Sequence, residues 1–327
     1  MRKFIDKIIC GDCIELLGKV KEPFADLIFA DPPFNIGYQY DKYKDKVKKG
    51  KYIAWTKDWM SACNSVLKPA GSFYIAIGDD YAANVKVIAD ELGLTMRNWI
   101  IWHYTFGQQT KTKFARSHTH IFYFVKDKDD FVFNDFAVRV PSDRQLAYND
   151  KRANPKGKMP DDVWGRYSRV CGTFKERLQW HPCQMPETVL ARIVSVSSKA
   201  GDVVLDPFNG SGTTAAVALK LGRRYTGIDI SADYVTNTKH RIEEIKHTSK
   251  STKNLFGKLG PQEMLELSRL CADMGFSVSE ILESKKLLAL LTSQFAIRMN
   301  GGKICDKNQI AIALADVPNY ARKGKKT

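Results

Sequence analysis

Long apolar runs are missing from this 327-residue chain. Nothing approaches the roughly 18 consecutive apolar residues that a membrane-spanning helix needs. The opening Met1-Arg2-Lys3-Phe4-Ile5-Asp6-Lys7 has no apolar segment of the secretory kind behind it. A disulfide framework is also missing. Seven cysteines are odd in number and irregular in spacing, which points to a reduced, intracellular protein. Cys10 and Cys13 form a C-x-x-C, yet a structural zinc site takes about four ligands and no second pair follows. His118 and His120 alone read as packing or surface, so zinc is excluded. Internal repeats and long low-complexity tracts are absent. Acidic residues are in deficit: 51 Lys and Arg face 36 Asp and Glu, a net charge of +15. That surplus calls for a polyanionic partner, nucleic acid first, or else is a generic basic surface.

With 44% hydrophobic residues the chain can bury a substantial core. Its length allows two domains, or one large α/β unit with an appendage. It is organised around Asp31-Pro32-Pro33-Phe34. The preceding run, residues 25–30, is apolar except for Asp26 and continuous from Leu27 to Ala30, the pattern of a buried strand. Proline has no N–H and cannot continue a central ladder, so the strand ends there. In an open α/β sheet that carboxyl edge is where ligands bind. The tetrapeptide therefore offers a carboxylate, two carbonyls and an aromatic face at such an edge, unless it is only a strand-ending turn.

Around this strand, residues 7–10 predict another, and Gly11-Asp12-Cys13 leads into a short helix with Asp12 as its N-cap. Residues 35–51 interleave Tyr38, Tyr40 and Tyr43 with Lys42, Lys44, Lys46, Lys48, Lys49 and Lys51. Such a loop either meets phosphates and bases or is a solvated surface. Helical spacing covers 52–67 and is stopped at Lys68-Pro69-Ala70-Gly71. A strand over 72–77, a helix over 81–92 and strands over 99–102 and 119–125 follow. This alternation predicts a mostly parallel sheet. Residues 126–180 lose periodicity and are basic, with Arg139, Arg144, Arg152 and Arg169 among them. A stretch that far exceeds an ordinary loop is a functional insert or a small subdomain.

A helix over 186–197 and a strand over 203–205 lead into Asp206-Pro207-Phe208-Asn209-Gly210-Ser211-Gly212-Thr213-Thr214. A helix to 221 and a strand ending in Asp229 complete a β-loop-α-β unit. An acid about 20 residues after a Gly-rich loop is placed to bind ribose hydroxyls. The loop is neither G-x-G-x-x-G nor a P-loop, and a helix N-terminus favours an anionic group. An adenosine-containing ligand with a terminal carboxylate fits it better than a dinucleotide. A charged helix over 232–245 gives way to a linker-like stretch, 246–258. Beyond it Ser277-Val278-Ser279-Glu280 is a capping box and Asn300-Gly301-Gly302 a stop. Ile281, Leu282, Leu288, Leu291, Phe295 and Met299 make an apolar face between them. Residues 267–282, turning at Gly275, outline a helix-turn-helix, though an ordinary helical hairpin is the commoner source of that outline. Residues 322–326 are a basic, solvated tail.

These segments together resemble the amino-methylating DNA methyltransferases that use S-adenosylmethionine. Asp31-Pro32-Pro33-Phe34 resembles their catalytic [DNS]-P-P-[YFW], and Asp206 to Thr214 their cofactor loop. The order, catalytic motif first with a basic insert between, is similar to the β group. Gly11-Asp12-Cys13 resembles that group's G-D-C, and His181-Pro182-Cys183-Gln184-Met185-Pro186-Glu187 its H-P-x-Q-K-P-E, with Met185 in place of lysine. The resemblance implies an α/β, Rossmann-like methyltransferase fold: a mixed, mostly parallel sheet with helices on both faces and circularly permuted motif order. A catalytic domain would span 1–247, with a target-recognition insert at 126–180 and a small helical region at 248–327. Implied catalytic residues are Asp31, Pro32, Pro33 and Phe34. Implied cofactor residues are Asp12, Cys13, Asp31, Asp206, Phe208, Asn209, Gly210, Ser211, Gly212, Thr213 and Asp229. Implied nucleic-acid residues are Tyr38, Tyr40, Lys42, Arg139, Arg144, Arg152 and Arg169. The implied reaction methylates adenine N6 in duplex DNA after base flipping, because Asp at the first catalytic position goes mostly with adenine. Alternatives are cytosine N4, another amine or amide, and a non-catalytic DNA-binding regulator. Candidate partners besides duplex DNA are a cognate restriction endonuclease and a second copy of the chain. The expected location is the bacterial cytoplasm, on the nucleoid.

Overall fold

A computed structural model describes residues 3–38, 41–42, 45–108, 110–148, 150–170, 172, 176–253, 259–299 and 305–317. The first half runs β1 (Lys7–Cys10), α1 (Cys13–Leu17), β2 (Ala25–Ala30), α2 (Lys49–Val66), β3 (Leu67–Ile77), α3 (Asp79–Glu91), β4 (Thr95–Gln108) and β5 (Arg116–Val125). Among its described residues the insert holds only a 3₁₀ turn (Asp135–Ala137), α4 (Asp143–Leu146) and β6 (Val163–Trp164). Then come α5 (Glu187–Ser197), β7 (Val203–Asp206), α6 (Thr213–Lys220), β8 (Arg224–Asp229) and α7 (Ala232–Lys253). Four helices follow: α8 (Pro261–Met274), α9 (Val278–Glu283), α10 (Lys285–Arg298) and α11 (Lys307–Leu314).

Eight strands form one sheet in the order β1-β8-β7-β2-β3-β5-β4-β6. Pairing is parallel from β1 through β3, antiparallel for β3–β5 and β5–β4, and parallel again for β4–β6. The expected mixed, mostly parallel sheet is thus present. The middles of its central strands (27–30, 73–77, 121–125 and 203–205) read as unbroken apolar runs because both faces are covered there. Leu27 and Phe29 of β2 join Tyr74, Ile121 and Tyr123 in a core under α5, α6 and α7. Ile28 and Ala30, offset by one residue, join Phe73, Ile75 and Phe122 under α1, α2 and α3. A third apolar cluster, built on Leu267, Leu270, Leu291 and Phe295, belongs to the C-terminal helices. No helix among the described residues is long and apolar enough to cross a membrane.

Three expectations need correction. Residues 68–71 are not a loop that stops α2, because Leu67 already opens β3. Ala25 aligns with Leu67 and Leu27 with Ser72, so residues 68–71 bulge opposite Asp26, which takes Lys68 Nζ at 2.8 Å. The linker-like stretch from 246 is helical as far as Lys253, so the 247/248 boundary falls inside α7. Lost periodicity as far as 253 marks a polar helix without a breaker, and residues 254–258 lie outside the described residues. Leu282 is 43% exposed, off the apolar face formed by Ile281, Leu291 and Phe295. The stop at 300–302 and the basic tail lie outside the described residues.

Candidate active site

The chain leaves β2 toward β3 and leaves β7 toward β8, although β2 and β7 are neighbours. A crevice opens at the carboxyl ends of strands where connections diverge in this way. Four carboxylates gather there: Asp12 just after β1, Asp229 ending β8, Asp206 ending β7 and Asp31 just after β2. They line one cavity of about 370 Å³, together with Cys13, Pro33, Phe34, Phe208, Asn209, Gly210, Ser211 and Thr213.

The cofactor-loop side is rigidly wired. Asp12 caps α1, its Oδ1 accepting from the Ile14 and Glu15 amides at 2.7 and 3.2 Å. Asp206 accepts from the Phe208 amide (3.0 Å) and the Thr214 hydroxyl (2.6 Å). Asp229 accepts from the Gly210 and Ser231 amides at 2.7 and 2.9 Å. Gly210 has φ +46°, and a Cβ there would come within 2.8 Å of His181 Nε2. Only glycine leaves that space open. Arg241 of α7 donates to the Ser211 carbonyl (2.8 Å) and to Glu187 (2.8 Å), which also holds Lys220 at 2.6 Å. Burial pushes the Glu187 carboxyl up, but the two cations hold it below its usual range. Gln184 spans Leu178 N and Glu176 O at 2.9 and 2.8 Å. The His181-to-Glu187 stretch therefore braces the loop from behind. Met185 faces the cavity and packs partly on the core.

On the other side, Tyr52 donates to the Pro33 carbonyl at 2.6 Å, which orients the Pro-Pro turn. Pro32 is buried and does not form the cavity wall. Gly78 leaves room for the Phe34 ring, which would lie 3.3 Å from a Cβ there. Described residues of the following loop are held by hydrogen bonds. Buried Asp45 accepts from the amides of Asn35 (2.6 Å), Ile36 (3.2 Å) and Tyr38 (2.9 Å), and Ser231 donates to Asp41 at 2.6 Å. Burial, and next the Asp206 charge, push Asp31 up to about 7, while Arg169 opposes them. Burial likewise pushes Asp206 up to about 7 against its two hydrogen bonds. Desolvation with Arg177 nearby lowers His181 to about 4, so this imidazole is neutral.

Of the nucleic-acid candidates, Tyr38, Lys42 and Arg169 reach the cavity. Arg169 also lies 5.1 Å over the Tyr104 ring. Arg139 pairs with Asp135 and Arg152 with Asp150, and neither lines the cavity; Arg144 is exposed on α4. Gly212 sits behind the wall as the left-handed N-cap of α6, and Tyr40 lies outside the described residues. Trp55, Tyr104, His118, Thr119 and Tyr234 also line the cavity, and no motif in the sequence points to them. Alternation marks β4 and β5 as strands but does not show which end faces a ligand.

The geometry has known counterparts. A family profile described as DNA methylase matches residues 25–240. The chain is 36% identical to the type II methyltransferase M.HpaI of Haemophilus parainfluenzae, over 72% of this chain and 74% of that one. It is also 36% identical to the DNA adenine methyltransferase YhdJ of Escherichia coli K12, over 74% of this chain and 84% of that one. Among solved structures, the cytosine-N4-specific PvuII DNA methyltransferase matches 72% of this chain and 85% of its own, with a TM-score of 0.55 at 19% identity. A putative DNA modification methylase of Thermus thermophilus, solved with S-adenosyl-L-methionine, matches 73% of this chain and 93% of its own, with a TM-score of 0.54 at 21% identity. With four carboxylates on adjacent strand ends and the profile matched over both motifs, the chain belongs to the DNA methylase family of N6/N4 amino-methyltransferases.

Proposed function

We propose that this enzyme transfers a methyl group from S-adenosylmethionine to the N6 amine of adenine in duplex DNA. The observation that carries this reading is the four-carboxylate crevice with Asp31-Pro32-Pro33-Phe34 on its rim. The residues present fit the cofactor. A sulfonium and an ammonium are cations, which clustered carboxylates favour, and the open turn at Gly210 lets backbone approach a ligand closely. Asp229 would hold ribose hydroxyls, Asp12 the adenine end, and Asp206 with the backbone of residues 210–213 the methionine end. Phe208, packed 5.2 Å from Trp59, would wall the site. Bound there, the cofactor supplies the electrophilic methyl.

The chain's own groups activate the amine. An exocyclic base nitrogen is a poor nucleophile because its lone pair is delocalised into the ring. The Asp31 carboxylate, on the cavity wall, accepts an amine proton and so favours a pyramidal nitrogen with a localised lone pair. Phe34 supplies a stacking face for a base that must leave the duplex to be reached. The loop of Tyr38 and Lys42 contacts phosphates, and the 126–180 insert, through Arg169 and its neighbours, carries most sequence contacts. We place the protein on the nucleoid, paired with a cognate restriction endonuclease. Asp31 and the similarity to YhdJ favour adenine over cytosine N4. Labelled methyl transfer to unmodified duplex DNA, followed by nucleoside analysis, should yield N6-methyladenine. N4-methylcytosine would overturn the base assignment, and no label in DNA would overturn the activity.

A further inference from the structure

The C-terminal helices carry charged groups that are buried where a helical appendage would need none. Glu266, Arg269 and Asp273 share one face of α8, and all three are at least nine-tenths buried, as are Arg298 of α10 and Arg192 of α5. Arg298 pairs with Glu266 (3.0 Å) and Asp273 (2.8 Å), Arg269 pairs with Glu266 (2.7 Å), and Arg192 with Asp273. The three guanidiniums hold the Asp273 carboxyl below its usual range against its burial. Three cations against two anions leave donors in excess, and a buried donor needs an acceptor.

The insert supplies several of those acceptors, though Arg192 Nε and Arg269 Nη1 are buried without one. Arg298 Nε donates to the Arg139 carbonyl at 3.0 Å, Arg269 to the Ala137 carbonyl, and Gln294 to the Pro155 carbonyl at 2.7 Å. In return Tyr167 donates to Asp273 at 2.6 Å and Arg166 to the Asp273 carbonyl. Among its described residues the insert has little regular structure of its own, and it is tied at three separated points to α8 and α10. Tyr167 is tied twice, because its carbonyl also accepts from Trp102 of β4 at 2.8 Å. Two residues further on, Arg169 enters the cavity that holds Asp31.

We propose that the C-terminal helices are a brace that sets the position of the insert over the target-base side of the cavity, with Asp273 and Tyr167 as positioning residues. This rests on the insert being the recognition element. The test compares Tyr167→Phe, which removes one hydroxyl from the network, with Asp273→Asn and Arg169→Ala in the full-length protein. The substrate is a duplex carrying the sequence found modified in cells, beside one with a single base changed. Tyr167→Phe and Asp273→Asn should leave S-adenosylmethionine affinity within about twofold, yet raise KM for the duplex and lower discrimination about tenfold, as loss of a charge-assisted hydrogen bond would. Arg169→Ala should do the same. If Tyr167→Phe is silent where Arg169→Ala is not, the brace is overturned. If both are silent, the recognition role of the insert falls and the brace with it. Cofactor affinity and DNA affinity falling in parallel would mark the network as a general fold support and overturn the proposal.

Discussion

At Asp31 the electrostatics and the chemistry meet in one group. Its carboxyl is raised to about 7, by burial first and by Asp206 second. A carboxylate that must accept a proton-bearing amine works only when ionised, so kcat/KM should rise with pH through about 7, which reports the free enzyme. Asp206→Asn removes one neighbouring charge and should move that limb to lower pH; an unmoved limb would leave burial as the only cause. The stability consequence has the opposite sign. The folded carboxyls hold protons that an unfolded chain releases near pH 4, so stability falls as pH rises from about 4 to about 7 and levels off above. Asp31→Ala should lower the methylation rate about 10²–10³-fold while S-adenosylmethionine binding persists, the usual loss for one preorganised group. Calorimetry and single-turnover kinetics separate the two, and a folded variant working at the wild-type rate would end the amine-activation mechanism.

Among the elements, the junction of loop and α6 shows backbone strain with a specific cause. Gly212 and Gly222 bracket this helix at φ +71° and +73°. At Gly222 an added Cβ meets nothing within 4 Å, whereas at Gly212 it meets the Thr238 side chain. Gly222→Ala should therefore lose only the left-handed penalty, about 1 kcal/mol. Gly212→Ala adds a clash with the buried Thr238 side chain of α7 and should lose about 3 kcal/mol by urea unfolding. Equal losses would mean that α7 gives way. Thr238 also accepts from Asn209 (3.2 Å) and donates to the Gly210 carbonyl (3.3 Å). The α7 helix is thus part of the cofactor loop's geometry.

Across the whole molecule, the net charge of +15 suits a polyanionic partner such as duplex DNA. Lys42, Lys46 and Lys48 are exposed on the loop that Asp45 folds beside the cavity. Replacing the three with Gln should weaken binding to all duplexes alike. Every phosphate that a lysine no longer neutralises should reduce the slope of log K against log salt by about one. A changed methylation site instead would assign this loop to base recognition. The same scale explains the third apolar cluster, which gives the C-terminal helices a core of their own. Their charged face turns inward to the insert, where a separately folded appendage would expose it.

Much of this was legible in the sequence because the determinants are local. Period and breaker residues located β2, β7, β8 and both motifs to within a residue or two, since a strand covered on both faces is apolar over most of its buried length. The four acids could each be named, because each ends a strand or opens a helix. Their meeting could not be read. Asp12 and Asp229 lie at opposite ends of the catalytic region and become neighbours only through the β1–β8 ladder, where Gly11 donates to the Asp229 carbonyl at 2.9 Å. The Arg169 charge acting on Asp31, Arg241 donating to Ser211 and Tyr167 donating to Asp273 are likewise long-range interactions. A buried ion pair leaves no periodic trace in the chain, because its stabilisation depends on desolvation and on partners that only the folded topology brings together.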